Sequence, residues 1–401
     1  MRRPAVHGDT PFLPEEIVTN ILKRLPVKSL IRFQCVCKRW KNLFKTPSFI
    51  AEHLLYPTHQ NPSLLIIHNS STCKPLHLRL LDCEMHVREV QNAPLIGSLP
   101  DVGIIGSSNG LLCVALDQSL FLCNSLLLWN PAIGEVRQIP RSRTVEFPMW
   151  ECIVGFGFSP IVNDYKIVKI YDGPGCDDAI SVVEVYSLST GLWKEIEFGS
   201  LEGVSLFHGT GTANGAIFWW GLRRGVEEQG EDDTDLIVSF DIEMEVFVLI
   251  PWPPLSDRDN STVKFAVYED KFAALSLSNI GTFPDYLYSS IDLWVLEECT
   301  GSPTERWCWT KKYARNHCPS MLKLGALWRN EIVCIDFGMP RLTNESERET
   351  ENDGRKAGMY LLNMTTNEFK MFAIPGCGND CRVLNHVESL VPVWNIHFEE
   401  H

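Results

Sequence analysis

The feature that most constrains this chain is a repeat. A polar two-residue turn followed by a short apolar run recurs at Asn109-Gly110, Asn163-Asp164, Asn214-Gly215, Glu269-Asp270 and Arg329-Asn330, at intervals of 54, 51, 55 and 60 residues. Each is followed by a second hairpin signal, ending in Gly134, Gly191, Glu243-Met244, Gly301 and Thr366-Asn367 in turn. After each second turn comes an apolar, often aromatic run (136–140, 192–196, 246–251, 307–313 and 369–375). Asn, Asp, Gly and Pro between runs of alternating or β-branched residues are strand punctuation. A unit of this length holds a four-stranded meander, the size of one propeller blade. Five units are visible, residues 61–100 have room for a degenerate first one, and residues 382–393 are placed to return a strand to it. The expected architecture is a six-bladed β-propeller, with a twisted β-sandwich as the alternative.

The first sixty residues read differently. Residues 13–55 carry helical spacing in short pieces. Pro14 suits a first helical position, and Glu15 and Glu16 fall where a helix dipole favours carboxylates. Ile17, Ile21, Leu22 and Leu25 share a face, and Pro26 ends that helix. A second short helix carries Leu30, Ile31, Phe33 and Gln34. A third runs from about Val36 with Trp40, Leu43 and Phe44, is interrupted at Pro47, and continues as an amphipathic tail with Phe49, Ile50 and Leu54. Three short helices make a poor solitary core. They must rest on the larger domain or complete their core on a partner.

Charge divides the chain at the same place. Residues 1–60 hold ten Lys/Arg against four Asp/Glu, while the whole chain is at −14, so the body is strongly acidic. A basic head meets either nucleic acid or an acidic protein; the body is too acidic for a general nucleic-acid binder. The N-terminus lacks the apolar run of a secretory signal, and no segment has the ~20 apolar residues of a membrane span. The fourteen cysteines are scattered from Cys35 to Cys381 without a paired CxxC set, so reduced thiols are expected and no metal site.

The run Leu13-Pro14-Glu15-Glu16-Ile17, then Leu25-Pro26-Val27-Lys28-Ser29-Leu30, then Val36-Cys37-Lys38-Arg39-Trp40 resembles the F-box motif in order, spacing and identity. In the body, Leu127-Leu128-Trp129-Asn130-Pro131, Gly155-Phe156-Gly157-Phe158, Asn163-Asp164-Tyr165-Lys166-Ile167-Val168 and Trp309-Thr310-Lys311-Lys312-Tyr313 resemble the F-box-associated domain of plant F-box proteins. The repeats lack the paired glycines of standard kelch blades. The resemblance implies a substrate-recognition adaptor of an SCF-type ubiquitin ligase, docked on a Skp-type adaptor and through it on cullin and a RING protein. It implies that Leu13, Pro14, Ile17, Leu22, Leu25, Pro26, Leu30, Val36, Cys37 and Trp40 form or support that interface. It divides the chain into an F-box at 10–56, a linker and degenerate first blade at 57–100, and a substrate-binding domain at 101–398. It implies action in cytoplasm or nucleus, without cofactor or metal. Two alternatives stay open: recognition of ribonucleases by an S-locus F-box-like member, and a propeller acting as scaffold or enzyme outside a ligase.

No catalytic residues are expected. Gly155-Phe156-Gly157 has no third glycine and no following helix, Gly209-Thr210-Gly211 lacks the rest of a P-loop, and neither HExxH nor GxSxG occurs. The acidic stretches 227–235 and 345–353 read as solvated loops. Trp219-Trp220, Trp252 and Trp307-Cys308-Trp309 read either as packing between blades or as anchors for a protein partner.

Overall fold

The computed structural model describes residues 13–56, 63–68, 77–82, 84–90, 102–116, 125–142, 152–172, 180–225, 232–255, 261–280, 288–299, 307–318, 322–336, 358–374 and 381–394. The acidic stretch 345–353 and most of 227–235 lie outside them.

Six four-stranded antiparallel sheets follow the helical head. The first joins β1 (Ser63–His68), β2 (His77–Leu81) and β3 (Val87–Glu89) to the last strand, β24 (Cys381–His386), which pairs with β1. The second is β4 (Gly103–Ser108), β5 (Leu111–Ala115), β6 (Leu126–Asn130) and β7 (Glu135–Gln138). The third is β8 (Cys152–Ser159), β9 (Asp164–Asp172), β10 (Ile180–Ser187) and β11 (Leu192–Glu195). The fourth is β12 (Val204–Ala213), β13 (Ala216–Arg223), β14 (Thr234–Asp241) and β15 (Val246–Pro251). The fifth is β16 (Ser261–Tyr268), β17 (Lys271–Ile280), β18 (Tyr288–Glu298) and β19 (Trp307–Cys318). The sixth is β20 (Leu322–Trp328), β21 (Glu331–Asp336), β22 (Gly358–Asn363) and β23 (Glu368–Ala373).

The inner strands β4, β8, β12, β16, β20 and β24 touch in that order and β24 touches β4 again, closing a ring. This is a six-bladed propeller and not the twisted sandwich. Each sheet packs on two neighbours, whereas a sandwich would pack two sheets face to face. Burial shows the same thing: Leu111–Ala115 and Leu126–Asn130 are buried without alternation, because both faces of these middle strands are covered by adjoining blades. Pairing of β24 with β1 joins the two ends of the body and leaves the ring no open seam.

The repeat in the sequence is a repeat of backbone handedness. Asn109, Asn163, Asn214, Glu269 and Arg329 all have positive φ, between 44° and 57°. In Asn109-Gly110, Asn214-Gly215 and Glu269-Asp270 both residues do, the type I′ geometry that matches strand twist. The second turns are equally regular. The N–H of Gly134, Gly191, Glu245 and Asn367, all at positive φ, donates to the carbonyl four residues back at 2.8–2.9 Å. The side chain at that earlier position, Asn130, Ser187, Asp241 or Asn363, accepts a further N–H from within its turn. Blades are also locked sideways: Trp193 Nε1 donates to the Pro140 carbonyl at 2.7 Å and Trp309 Nε1 to that of Pro251 at 2.8 Å, each reaching the preceding blade.

Because the second to sixth sheets each begin with their inner strand, and β24 runs antiparallel to β1 as the inner strand of the first, the turns between first and second, and third and fourth, strands lie at one end of the ring. The inner strands begin at the opposite end.

Candidate functional site: the helical head and its seat

Four helices form the head: α1 (Glu15–Leu22), α2 (Val27–Phe33), α3 (Lys38–Leu43) and α4 (Pro47–Leu54). The expected tail after Pro47 is a helix of its own, with Pro47 at its first position where no N–H is needed. Pro14 and Pro26 stand one residue earlier than a first helical position, as the extended residues before α1 and α2. Cys37 starts α3, its Sγ accepting the Trp40 N–H at 3.4 Å. An Arg39–Glu15 ion pair holds the start of α3 against that of α1, and a Lys23–Glu52 pair ties α1 to α4. Buried His53 bonds the Leu25 carbonyl at 2.9 Å.

These helices use their apolar residues in two directions. Leu22, Val27, Leu30, Phe44 and Phe49 are buried together with Leu390, from the segment after β24. Ala132 and Ile133, in the turn between β6 and β7, pack on the same cluster. The head is therefore seated on the turn end of the propeller. Facing away, Leu13 (59% exposed), Ile17 (46%), Ile21 (47%) and Val36 (59%) stand bare. Ile17 and Ile21 are one turn apart on α1. Pro14, Pro26, Cys35 and Cys37 are exposed as well, and so are Arg24, Lys28, Arg32, Lys38, Arg39, Lys41 and Lys45 around them.

The ten residues singled out from the sequence thus divide. Leu13, Pro14, Ile17, Pro26, Val36 and Cys37 are exposed; Leu22 and Leu30 are core; Leu25 and Trp40 are half-buried, Trp40 tilted against Phe33 at 5.9 Å. Periodicity placed Ile21 on the same face as Ile17 but did not single it out as a site residue. The seat itself went unread. Asn130 is fully buried and clamps it: Nδ2 donates to the carbonyls of Ser389 (3.0 Å) and Val391 (2.8 Å), while Oδ1 accepts from Ala132 N–H (3.0 Å). Gly110 lies so close to Ser389 that a Cβ there would come within 2.1 Å of its Oγ. Val393 N–H donates to Glu135 at 3.2 Å. Asn130, inside the Trp-Asn-Pro phrase, was the available signal, but its partners lie some 260 residues away.

At the opposite end the tryptophan pair divides by strand alternation: Trp219 is buried completely, Trp220 is 40% exposed. Phe207 lies tilted against Trp220 at 4.3 Å and half-buried Trp252 follows at 5.6 Å, making a partly exposed aromatic patch on the fourth blade. Trp307 and Trp309 are half-buried. Among the described residues no helix is long and apolar enough to cross a membrane.

A helical head seated on a propeller, with one apolar face spent on that seat and another bare, makes this a two-module protein. Its modules are those of a known family. The F-box domain matches residues 11–51 and the F-box associated beta propeller domain matches residues 76–393, so the chain belongs to the F-box proteins that carry this propeller. Arabidopsis thaliana holds relatives. F-box protein At3g07870 is 25% identical over 356 residues, covering 81% of this chain and 79% of its own. Putative F-box/kelch-repeat protein At3g17280 is 25% identical over 376 residues, 89% of each. F-box protein CPR1 is 26% identical over 326 residues, 75% of this chain and 72% of its own.

Proposed function

We propose that this chain is the substrate-recognition adaptor of an SCF-type ubiquitin ligase, acting in cytoplasm or nucleus. The bare ridge of Leu13, Ile17, Ile21 and Val36 docks a Skp-type adaptor, and through it cullin and the RING protein. The propeller holds a protein substrate and presents it for ubiquitination and proteasomal degradation. One observation carries this reading: the head has an apolar face left over after its seat on the propeller is filled. An apolar ridge of this kind rimmed by Lys and Arg fits a partner with an apolar groove and acidic flanks.

The adaptor role asks no side chain of this chain for chemistry. Its contribution is proximity, holding a substrate where a charged enzyme can reach it. The seat gives that proximity its geometry, since Asn130 and the 389–393 segment join the head to the propeller through buried contacts. With the head on the turn end, the end where the inner strands begin is left for substrate, and the Phe207–Trp220–Trp252 patch lies on the blade that offers aromatic anchors there.

The test is co-purification of the full chain with a Skp-type adaptor and cullin, beside an Ile17→Asp variant. The wild type is expected in the complex and the variant outside it, with both folded. Equal recovery of the two removes the ridge as the docking face.

A further inference from the structure

The propeller channel holds one amine that no acid group on its walls answers. The six inner strands carry no Asp or Glu; their Lys and Arg residues are Lys264, Lys323 and Arg382. Of these three, Lys264 alone lines the channel cavity, a space of about 160 Å³ bounded by residues of all six inner strands, largely in their turn-side part. Lys264 stands near the middle of β16, its side chain half-buried. Its Nζ donates to the Val383 carbonyl at 3.3 Å and forms no ion pair among the described residues.

A lysine held this way gives up its proton easily. Burial, then Arg382 and Lys323, push the Lys264 ammonium down to about 7. Arg382 is fixed by an Nη1 bond to the Ile104 carbonyl at 3.0 Å, and a guanidinium keeps its charge. His386 adds none at neutral pH: burial, then Arg88, push it down to about 4, and its Nδ1 lies 3.0 Å from Ser107 Oγ. A neutral amine can donate one N–H to Val383 and still present its lone pair. Desolvation and neighbouring cations are the two devices that turn a lysine into a nucleophile toward carbonyl carbon. The rest of the lining suits a small polar guest: Phe156 and Leu327 are apolar, while Ser107, Thr210, Thr212 and Asn385 offer hydroxyl and amide groups.

We propose that Lys264 is a nucleophilic amine that captures a small hydroxyaldehyde in the channel as an imine. The Nζ lone pair forms a C–N bond to the aldehyde carbon. Both amine protons pass to the carbonyl oxygen, which leaves as water, and a C=N bond remains. Nothing is oxidised or reduced, and the step reverses by hydrolysis. The aldehyde function meets the one amine in the lining, and the guest's hydroxyl groups meet the Ser, Thr and Asn side chains around it. The site is read on the chain alone, so it stands or falls independently of the ligase reading.

The experiment treats the folded full chain at pH 7 with glycolaldehyde and cyanoborohydride, which reduces an imine to a stable secondary amine, and maps the labelled lysines by mass spectrometry. With a pKa of about 7, about half of Lys264 is free amine at that pH, against about one in three thousand for an ordinary lysine. Part of that advantage is offset by lower intrinsic nucleophilicity and by passage into the channel. Lys264 is expected to label at least about tenfold faster than the exposed Lys28 and Lys41. Its rate is expected to level off above about pH 8, and its lead to vanish in urea, where cavity and burial are gone. Propanal, which lacks the hydroxyl, is expected to label Lys264 with a smaller lead over Lys28. The proposal is overturned if Lys264 labels no faster than Lys28 and Lys41, if its rate still climbs between pH 8 and 10, or if its lead survives unfolding. An equal lead with propanal overturns the hydroxyaldehyde class.

Discussion

Truncating the bare ridge separates binding from folding. Leu13 and Ile17 are 59% and 46% exposed, so about half of each side chain is available for a partner to bury. Full burial of such a side chain contributes about 1.5–3 kcal/mol, so each is worth about 0.8–1.5 kcal/mol to docking and the pair about 1.5–3 kcal/mol. At about 1.4 kcal/mol per tenfold, Leu13→Ala with Ile17→Ala weakens binding to a Skp-type adaptor about 10- to 150-fold. Head stability changes by less than about 0.5 kcal/mol, because neither side chain belongs to its buried cluster. Leu30→Ala does the reverse. Leu30 is 0% exposed, its loss opens a cavity costing about 2–5 kcal/mol, and binding falls only because the head loosens. The assay is calorimetric titration of the full chain with purified adaptor, paired with urea unfolding followed by circular dichroism. Affinity of the double variant within about threefold of wild type, with its helices intact, would refute the argument.

Other outcomes follow from the same geometry. Lys264 has a folded pKa of about 7 against an ordinary value of 10.5, so the folded state binds fewer protons between those limits and stability rises with pH across them. Lys264→Met removes that penalty, raising the melting temperature at pH 7 and flattening its rise toward pH 10; an unchanged slope contradicts the assignment. In Gly155→Ala the new Cβ meets Trp219 Cζ2 at 2.2 Å and Ile217 Cγ2 at 2.8 Å, both in a packed blade interface, and the cost should be at least about 1–3 kcal/mol by thermal unfolding. Asn130→Ala breaks the side-chain hydrogen bonds to Ser389, Val391 and Ala132 and should cost about 2–4 kcal/mol. Hydrogen exchange should then speed in α4 and in residues 387–393 more than in β16–β19, since the clamp is local to the seat.

Trp40 shows why some positions resist assignment from one dimension. It lies in the F-box phrase and was grouped with the docking residues. It is half-buried against Phe33 and packs on the head's core, so Trp40→Ala would disturb the head as well as any contact it makes. Leu22 and Leu30 are the same case carried further. Helical periodicity reports that a side chain is apolar on a shared face, but a helix of two turns with one apolar side buried and another bare presents two such faces. Which one meets the propeller is decided by Leu390 and Ile133, far away in the chain.

What the sequence determined by itself was local. Residues that tolerate positive φ recur with one period, and that recurrence set strand number per unit, unit length and the meander order. Proline before each of the first two helices and at the start of the fourth marked the head's segments. These are legible because turn chemistry and helix starts depend on neighbours in the chain. Tertiary structure alone decided the seating of the head on the turn end through Asn130 and the approach of Lys264, Lys323 and Arg382 to one another. The three cations come from three blades, and no spacing along the chain relates them. Only the ring brings their strands side by side.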